Sequence, residues 1–383
     1  MTSVDQRLDR VRGEAAPCRH NARTIAALTS NPGCRRRAIL DSAGVDKQRI
    51  ATHVGFPAQF GQSQFAITRG NTFEAQVKAD GCAELLRLLR ELLGLPISEA
   101  SYTDLGRADE TDRLGPQSPT AQAARHSRSR DLLTESTGSS ALFDHPLLQL
   151  SVGGQRVYLE PDLIAFQVAG RFHVVEIKSF GVVDGQADAT KVSGAAIQAA
   201  VYVLAMREML AEAGHDPETV SSDVVLVCPR DFSNEPMAAL IDVRKQLLML
   251  RRQLARMERV DELLAMLPAD LSFELAADAD GVPTRPQQVL EGALREVEAR
   301  YAPECLAACE LARFCRHEAR GHTAGLGKSV REALGGIDRV TTVLALASGE
   351  LTPAEDQTEA AALLQAAARL RAEVLSERQG TPA

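Results

Sequence analysis

The sequence predicts an α/β fold: a mixed central β-sheet flanked by helices, with helical additions at the N- and C-termini. Three stretches carry this. From Leu147 to Phe180 the chain reads LLQLSV, VYLEPDLIAFQV and RFHVVEIKSF, short runs of Val, Ile, Leu and Phe with period-two alternation, which marks strands. Next come an apolar helical stretch, AAIQAAVYVLAMREMLAEAG, and a buried strand, SDVVLV, ending at Cys228-Pro229. Upstream, FEAQVKADGCAELLRLLRELLG spaces its apolar residues by three and four, as an amphipathic helix does. Strand runs interrupted by helices predict a layered sheet-and-helix core.

In chain order, 1–60 reads as a basic helical segment broken by the turn signal Asn31-Pro32-Gly33. Residues 56–72, rich in Gly, Gln and Phe, read as loop or irregular strand. The core is expected over 61–235. Within it, 101–140 has few large apolar residues and many Asp, Arg, Ser, Thr, Gly and Pro, which predicts a mobile insertion. Residues 236–320 read as a helical region with a cysteine cluster, and 321–383 as an Ala/Leu/Glu-rich helical tail.

The 383 residues are 45% hydrophobic and 25% charged, ordinary for a globular protein. A net charge of −8 excludes a uniformly basic nucleic-acid binder, although local patches matter more than the total. One such patch is Arg125-His126-Ser127-Arg128-Ser129-Arg130. The N-terminus lacks the apolar core of a secretory signal, and no run of about eighteen apolar residues stands out. A cytoplasmic protein with no membrane contact is therefore expected. Seven cysteines, an odd number without an export signal, argue for a thiolate metal site over a disulfide framework.

The chemistry concentrates in the two strands around the turn at Ala169-Gly170-Arg171. Asp162 follows a proline on the first, and Glu176 and Lys178 lie two apart on the second, so they project to one side while Ile177 turns to the other. Two acids and a lysine inside an apolar run are costly to bury without a partner, and a divalent cation is a natural one. Gln198 and Tyr202, four apart on the following helix, share one face.

Pro161-Asp162, a gap, then Glu176-Ile177-Lys178 resembles the PD-(D/E)XK nuclease superfamily, and Gln198 with Tyr202 resembles its RecB-like branch. Gly70-Asn71-Thr72-Phe73-Glu74 is similar to the glycine-containing helix start of that branch, with Glu74 in the place of its metal-site acid. The resemblance implies a restriction-endonuclease-like core. Asp162, Glu176, Lys178, Gln198 and Tyr202 would then be catalytic, and Mg²⁺ or Mn²⁺ would be held by Glu74, Asp162, Glu176 and the main-chain carbonyl of Ile177.

Cys34 upstream and Cys305, Cys309 and Cys315 downstream frame this core. One cysteine before and three after resembles the iron–sulfur nucleases, among them CRISPR-associated RecB-like exonucleases and AddB-type nuclease domains, and implies a [4Fe–4S] cluster. The spacing between Cys305 and Cys309 is one residue longer than that pattern. Zn²⁺ is the alternative occupant, and Cys18 the alternative fourth ligand. Cys82 and Cys228 sit in apolar surroundings and read as core thiols.

The resemblance implies a metal-dependent deoxyribonuclease, an exonuclease on single-stranded DNA ends, with protein partners in repair or defence. Arg125, Arg128 and Arg130 are the expected DNA contacts, on a mobile arm. Three other readings stay open: a non-catalytic DNA-binding clamp, a zinc-stabilised helical scaffold, and a restriction-type endonuclease.

Overall fold

In a computed structural model of the chain, the described residues are 3–18, 22–58, 64–94, 100–106, 119–135, 140–168, 170–231, 233–257, 259–276, 278, 280 and 282–379. They divide into two compact units. The first comprises Met1–Gly33, Ala38–Val45 and Gly61–Leu267, and the second Cys34–Arg37, Asp46–Phe60 and Pro268–Ala383.

The first unit is an α/β layer structure around a mixed six-stranded sheet. Its strands are β1 (Ser101–Asp104), β2 (Ala141–Asp144), β5 (Leu163–Val168), β6 (Arg171–Ile177), β7 (Asp223–Pro229) and β8 (Pro236–Asp242), lying side by side in that order. The pairs β1–β2 and β6–β7 are parallel; β2–β5, β5–β6 and β7–β8 are antiparallel. β3 (Leu148–Val152) and β4 (Gln155–Leu159) form a separate hairpin. The stretch VYLEPDLIAFQV is thus two strands, broken at Glu160-Pro161-Asp162, because a proline there cannot donate to a ladder.

Period-two alternation sorts side chains between the two faces of the sheet. Leu142, Leu163, Val175, Ile177 and Val225 pack with Phe73, Val77, Leu85 and Leu89 of the helices Gln64–Val77 and Ala79–Leu93. Phe143, Ile164, Val174 and Val224 pack instead with Ala199, Val203 and Met206 of the helix Ala189–Glu212. Each such fully buried apolar side chain contributes roughly 1.5–3 kcal/mol. The Ala189–Glu212 helix starts at Asp188, whose carboxylate accepts from the amides of Thr190 and Lys191. It is long and apolar enough to cross a membrane, yet 56% of its most apolar window is buried within the protein, as befits a core helix.

Four expectations are corrected here. Residues 101–140 are not one mobile insertion: they contain edge strand β1 and the helix Pro119–Glu135. The loop expected over 56–72 is overtaken by the Gln64–Val77 helix, so Gly70 lies inside a helix instead of opening one. The single helix expected over 72–95 breaks at Asp80, Gly81 and Cys82, all with left-handed backbone. The helical region from 236 begins with a strand, β8, which the sheet recruits at its edge.

The second unit is helical. It includes Lys47–His53, Gln287–Arg295, Ala312–Glu318, Lys328–Ala333, Val340–Ser348 and Thr358–Gln379. Phe273 and Phe314 are fully buried in it, and Phe314 meets Phe56 edge-on at 5.7 Å. Ile337, Leu346, Ala360 and Ala361 form a smaller core beneath the last helices.

Candidate active site and thiol cluster

Strand register builds the carboxylate site. Leu163 pairs with Val175 across β5 and β6; one step further along that register, Asp162 stands opposite Glu176. Beyond it the main-chain ladder meets Pro161, and the Asp162 carboxylate takes over as acceptor, with Oδ2 receiving the Ile177 amide at 2.8 Å. Glu176 is 1% exposed and alternates with Val175 and Ile177, so it shares the face of Val174, beneath the Ala189–Glu212 helix. Tyr202 on that helix is buried and accepts from Gln198 Nε2 at 3.4 Å. Burial, and then the charge of Glu176, push the Tyr202 phenol well above its usual range. The residues expected together from sequence are brought together.

The electrostatics of Glu176 are unusual. Neither of its oxygens has a hydrogen-bond partner among the described residues. Lys178 Nζ stands 2.5 Å from Oε1, a close ionic contact outside hydrogen-bond alignment. Burial, and then the neighbouring Asp162, push the Glu176 carboxyl up to about 8, against the pull of Lys178. Asp162 is also raised by burial, with Lys178 opposing. An orphaned buried carboxylate oxygen costs about 1–3 kcal/mol, and two acids with one lysine invite a further cation. Hard oxygen donors of this kind suit Mg²⁺ or Mn²⁺, so the residues fit the implied ion.

Glu74 lies on the Gln64–Val77 helix. Its Oε1 receives Lys78 Nζ at 2.5 Å and faces His145 Nε2 at 3.3 Å. His145 and then Lys78 hold its carboxyl down at about 2, against the effect of burial.

Beside this lies a network that sequence reading missed. Lys78 Nζ also donates to Asp144 Oδ1 at 2.6 Å and to the main-chain oxygen of Asp162 at 2.9 Å. Asp144 Oδ1 meets His145 Nδ1 at 2.9 Å, and its Oδ2 accepts from the Tyr102 hydroxyl. Asp144, then Glu74, push His145 up to about 10. His145 has a left-handed φ of 47° just beyond β2, an uncommon conformation for a residue with a side chain. Asp104, Asp144 and His145 place ligand atoms within 4.8 Å of one another and could hold an ion. Here Lys78 and Tyr102 occupy the Asp144 oxygens, and Asp144, His145, Glu74 and Lys78 form one ion-pair network. The one local signal was the spacing of Lys78 four residues after Glu74 on a helix. Asp144-His145 arrives from distant sequence.

The basic cluster lies on the Pro119–Glu135 helix, which corrects the expected mobile arm. Arg125 Nη2 donates to Glu160 Oε1 at 3.2 Å and to the His145 carbonyl at 3.3 Å. Ser129 is buried and accepts the Leu147 amide at 2.9 Å. Arg128 is exposed, and Arg130 is exposed and pairs with Asp131 at 2.8 Å.

In the second unit, Cys34, Cys309 and Cys315 are buried and Cys305 is half-buried. Cys34 and Cys305 are electrostatic neighbours, as are Cys315 with Cys34 and with Cys309. The extra residue between Cys305 and Cys309 is taken up by one helical turn, in which the Cys309 amide donates to the Cys305 carbonyl at 2.8 Å. Burial raises the Cys34 thiol, while the amides of Arg300 and Arg37 donate to it and oppose the rise. Burial pushes Cys315 up to about 12. Arg36 Nη1 donates to Cys315 Sγ at 3.3 Å, Nε donates to the Val297 carbonyl at 3.0 Å, and the guanidinium pairs with Glu318 and covers the Phe314 ring at 5.5 Å. Buried thiols become thiolates only beside strong positive charge, so this donor set fits a bound metal centre. No cysteine forms a disulfide. Cys18 is exposed and belongs to the first unit. Cys82 and Cys228 are buried in apolar clusters of the first unit.

Compared with protein-family models and with curated proteins, the chain matches none.

Proposed function

We propose that the chain is a metal-dependent deoxyribonuclease with a restriction-endonuclease-like, RecB-like core, acting on single-stranded DNA ends. The observation that carries this reading is Glu176: buried, its Oε1 met only by Lys178 and its Oε2 by no hydrogen-bond partner among the described residues, opposite Asp162 and beneath Gln198 and Tyr202. A folded chain tolerates such an acid where a cation completes it.

Asp162, Glu176, the Ile177 carbonyl and Glu74 would hold Mg²⁺ or Mn²⁺, which supplies Lewis-acid stabilisation at a phosphoryl oxygen. Lys178, partly exposed at the rim, orients the attacking water and offsets negative charge that develops on the phosphate. Gln198 and Tyr202 set the position of the Glu176 side and line the approach of the strand. Arg128 and Arg130, exposed on their helix, supply phosphate contacts.

In the second unit, Cys34, Cys305, Cys309 and Cys315 would hold a [4Fe–4S] cluster with a structural role.

The test is cleavage of an end-labelled single-stranded oligonucleotide, with and without Mn²⁺, by wild type and Lys178→Ala. Metal-dependent cutting by the wild type alone is expected. Equal cutting by both sinks the assignment of Lys178, and no cutting by either sinks the nuclease reading. Iron, sulfide and zinc analysis of anaerobically purified protein decides the occupant of the cysteines.

A further inference from the structure

Lys78 is nine-tenths buried: its side chain is 10% exposed. An ammonium has three protons to donate, and each finds an acceptor on a different segment. One goes to Glu74 Oε1 at 2.5 Å on the helix that ends just before it, one to Asp144 Oδ1 at 2.6 Å at the end of β2, and one to the Asp162 main-chain oxygen at 2.9 Å ahead of β5. These segments come from residues far apart in sequence, and two of them carry acids assigned above to the ion.

The details favour a role beyond stapling. Lys78 and His145 both engage Oε1 of Glu74, which leaves Oε2 as the oxygen available to a cation. At Asp162 the lysine takes the main-chain oxygen, not the carboxylate, whose Oδ2 is held by the Ile177 amide. Lys78 therefore fixes both acids without covering the oxygens an ion would need. Asp144, with Tyr102 and His145 on its other positions, anchors the lysine from behind.

We propose that Lys78 is a positioning residue for the divalent-ion site, holding Glu74 and the Asp162 main chain in the arrangement that binds the ion. This rests on the reading of the site as a metal-dependent nuclease. Outer partners of metal ligands typically contribute 10–100-fold in metal affinity. A planar guanidinium does not reproduce three divergent donors, so arginine is a poor substitute.

The experiment is Mn²⁺ binding by the full chain without DNA, read by calorimetry and by the EPR signal of unbound Mn²⁺. Lys78→Met is expected to weaken Mn²⁺ binding by about 10–100-fold, with the KM for DNA unchanged at saturating Mn²⁺. Ethylammonium added to Lys78→Ala is expected to restore part of the affinity, which a lysine that merely fills space does not explain. Binding by Lys78→Met within two-fold of wild type overturns the proposal. Should Lys78→Met fail to fold, Glu74→Gln and Lys78→Gln are compared singly and together. A lysine acting through Glu74 gives a double variant little weaker than the worse single one, and full additivity overturns the proposal. A wild-type chain that binds no Mn²⁺ overturns this and the nuclease reading together. One that binds Mn²⁺ but cuts no DNA overturns the nuclease reading alone, and the affinities still decide the role of Lys78.

Discussion

The carboxylate site of the first unit and the thiol site of the second solve opposite problems. The first is placed by strand register: Asp162 and Glu176 face each other because Leu163 pairs with Val175. Its acids come with their own cations, Lys178 at 2.5 Å from Glu176 and Lys78 at 2.5 Å from Glu74. Among the described residues of the second unit, the thiol site has no strand beneath it. Its sulfurs come from the start of the Arg35–Ser42 helix and from the turns and short helix of 303–318, with Arg36 as the cation on Cys315. A site framed by a sheet keeps its geometry when emptied. A site framed by turns depends on what it binds. The comparison predicts that the ion of the first unit governs activity and the occupant of the second governs stability.

The largest effect expected is at Lys178. Lys178→Ala should lower cleavage by about 10³-fold or more, with circular dichroism unchanged and melting little changed below pH 8, where the buried Glu176 carboxyl keeps its proton and leaves no unpaired charge. A large drop in melting temperature would mean that the first site is structural after all.

Next comes the thiol site. Cys309→Ser, or iron chelation, should destabilise the second unit by more than about 3 kcal/mol. Mn²⁺ binding at the first site should survive at temperatures where the first unit remains folded. Hydrogen exchange separates the two, with protection lost over 303–318 and kept over β6 and β7. Equal loss in both units breaks the contrast.

The two sites were not equally legible. The hairpin could be read because period-two alternation, a proline and a two-residue spacing are local signals, and they place Asp162, Glu176 and Lys178 without tertiary knowledge. Helical spacing put Gln198 and Tyr202 on one face, and only the resemblance to RecB-like nucleases implied that this face meets the site. Lys78, Asp144 and His145 could not be found, since their meeting depends on which strand lies beside which helix. The strand Ser101–Asp104 and the helix Pro119–Glu135 were hidden by composition: an edge strand pairs on one side only, and the helix buries few residues, Ser129 and Leu133 among them. β8 was concealed in the same way, as an edge strand in which only Pro236 is fully buried. The kink at Asp80–Cys82 has only Gly81 as a sequence sign, because Asp80 and Cys82 take left-handed backbone without being glycines.

A smaller effect sharpens the electrostatic half of the comparison. The folded Glu176 carboxyl keeps its proton up to about 8, while its ordinary value is 4.5. Between those values the folded state binds more protons than the unfolded one, so stability falls as pH rises, and the loss is complete above the folded value. Glu176→Gln removes that titration. Without metal it should gain about 1–3 kcal/mol over wild type near pH 8.5 and almost nothing near pH 5, read by urea unfolding. A gain that does not change with pH would show that Glu176 is already ionised in the folded chain.

The smallest effect concerns Arg130. Its guanidinium pairs with the adjacent Asp131, and both side chains are about half exposed. Such a pair contributes at most about 1 kcal/mol, so Arg130→Ala should leave the melting temperature nearly unchanged. If its exposed position serves DNA, the same substitution weakens oligonucleotide binding uniformly across sequences and lowers the salt dependence by about one counterion. Arg125 is the control on the same helix. Its guanidinium is committed to Glu160 and to the carbonyl of His145, so Arg125→Ala should cost stability first and DNA affinity second. Two variants on one helix with opposite profiles would separate a phosphate contact from a structural one, and matching profiles would remove the helix from the DNA surface.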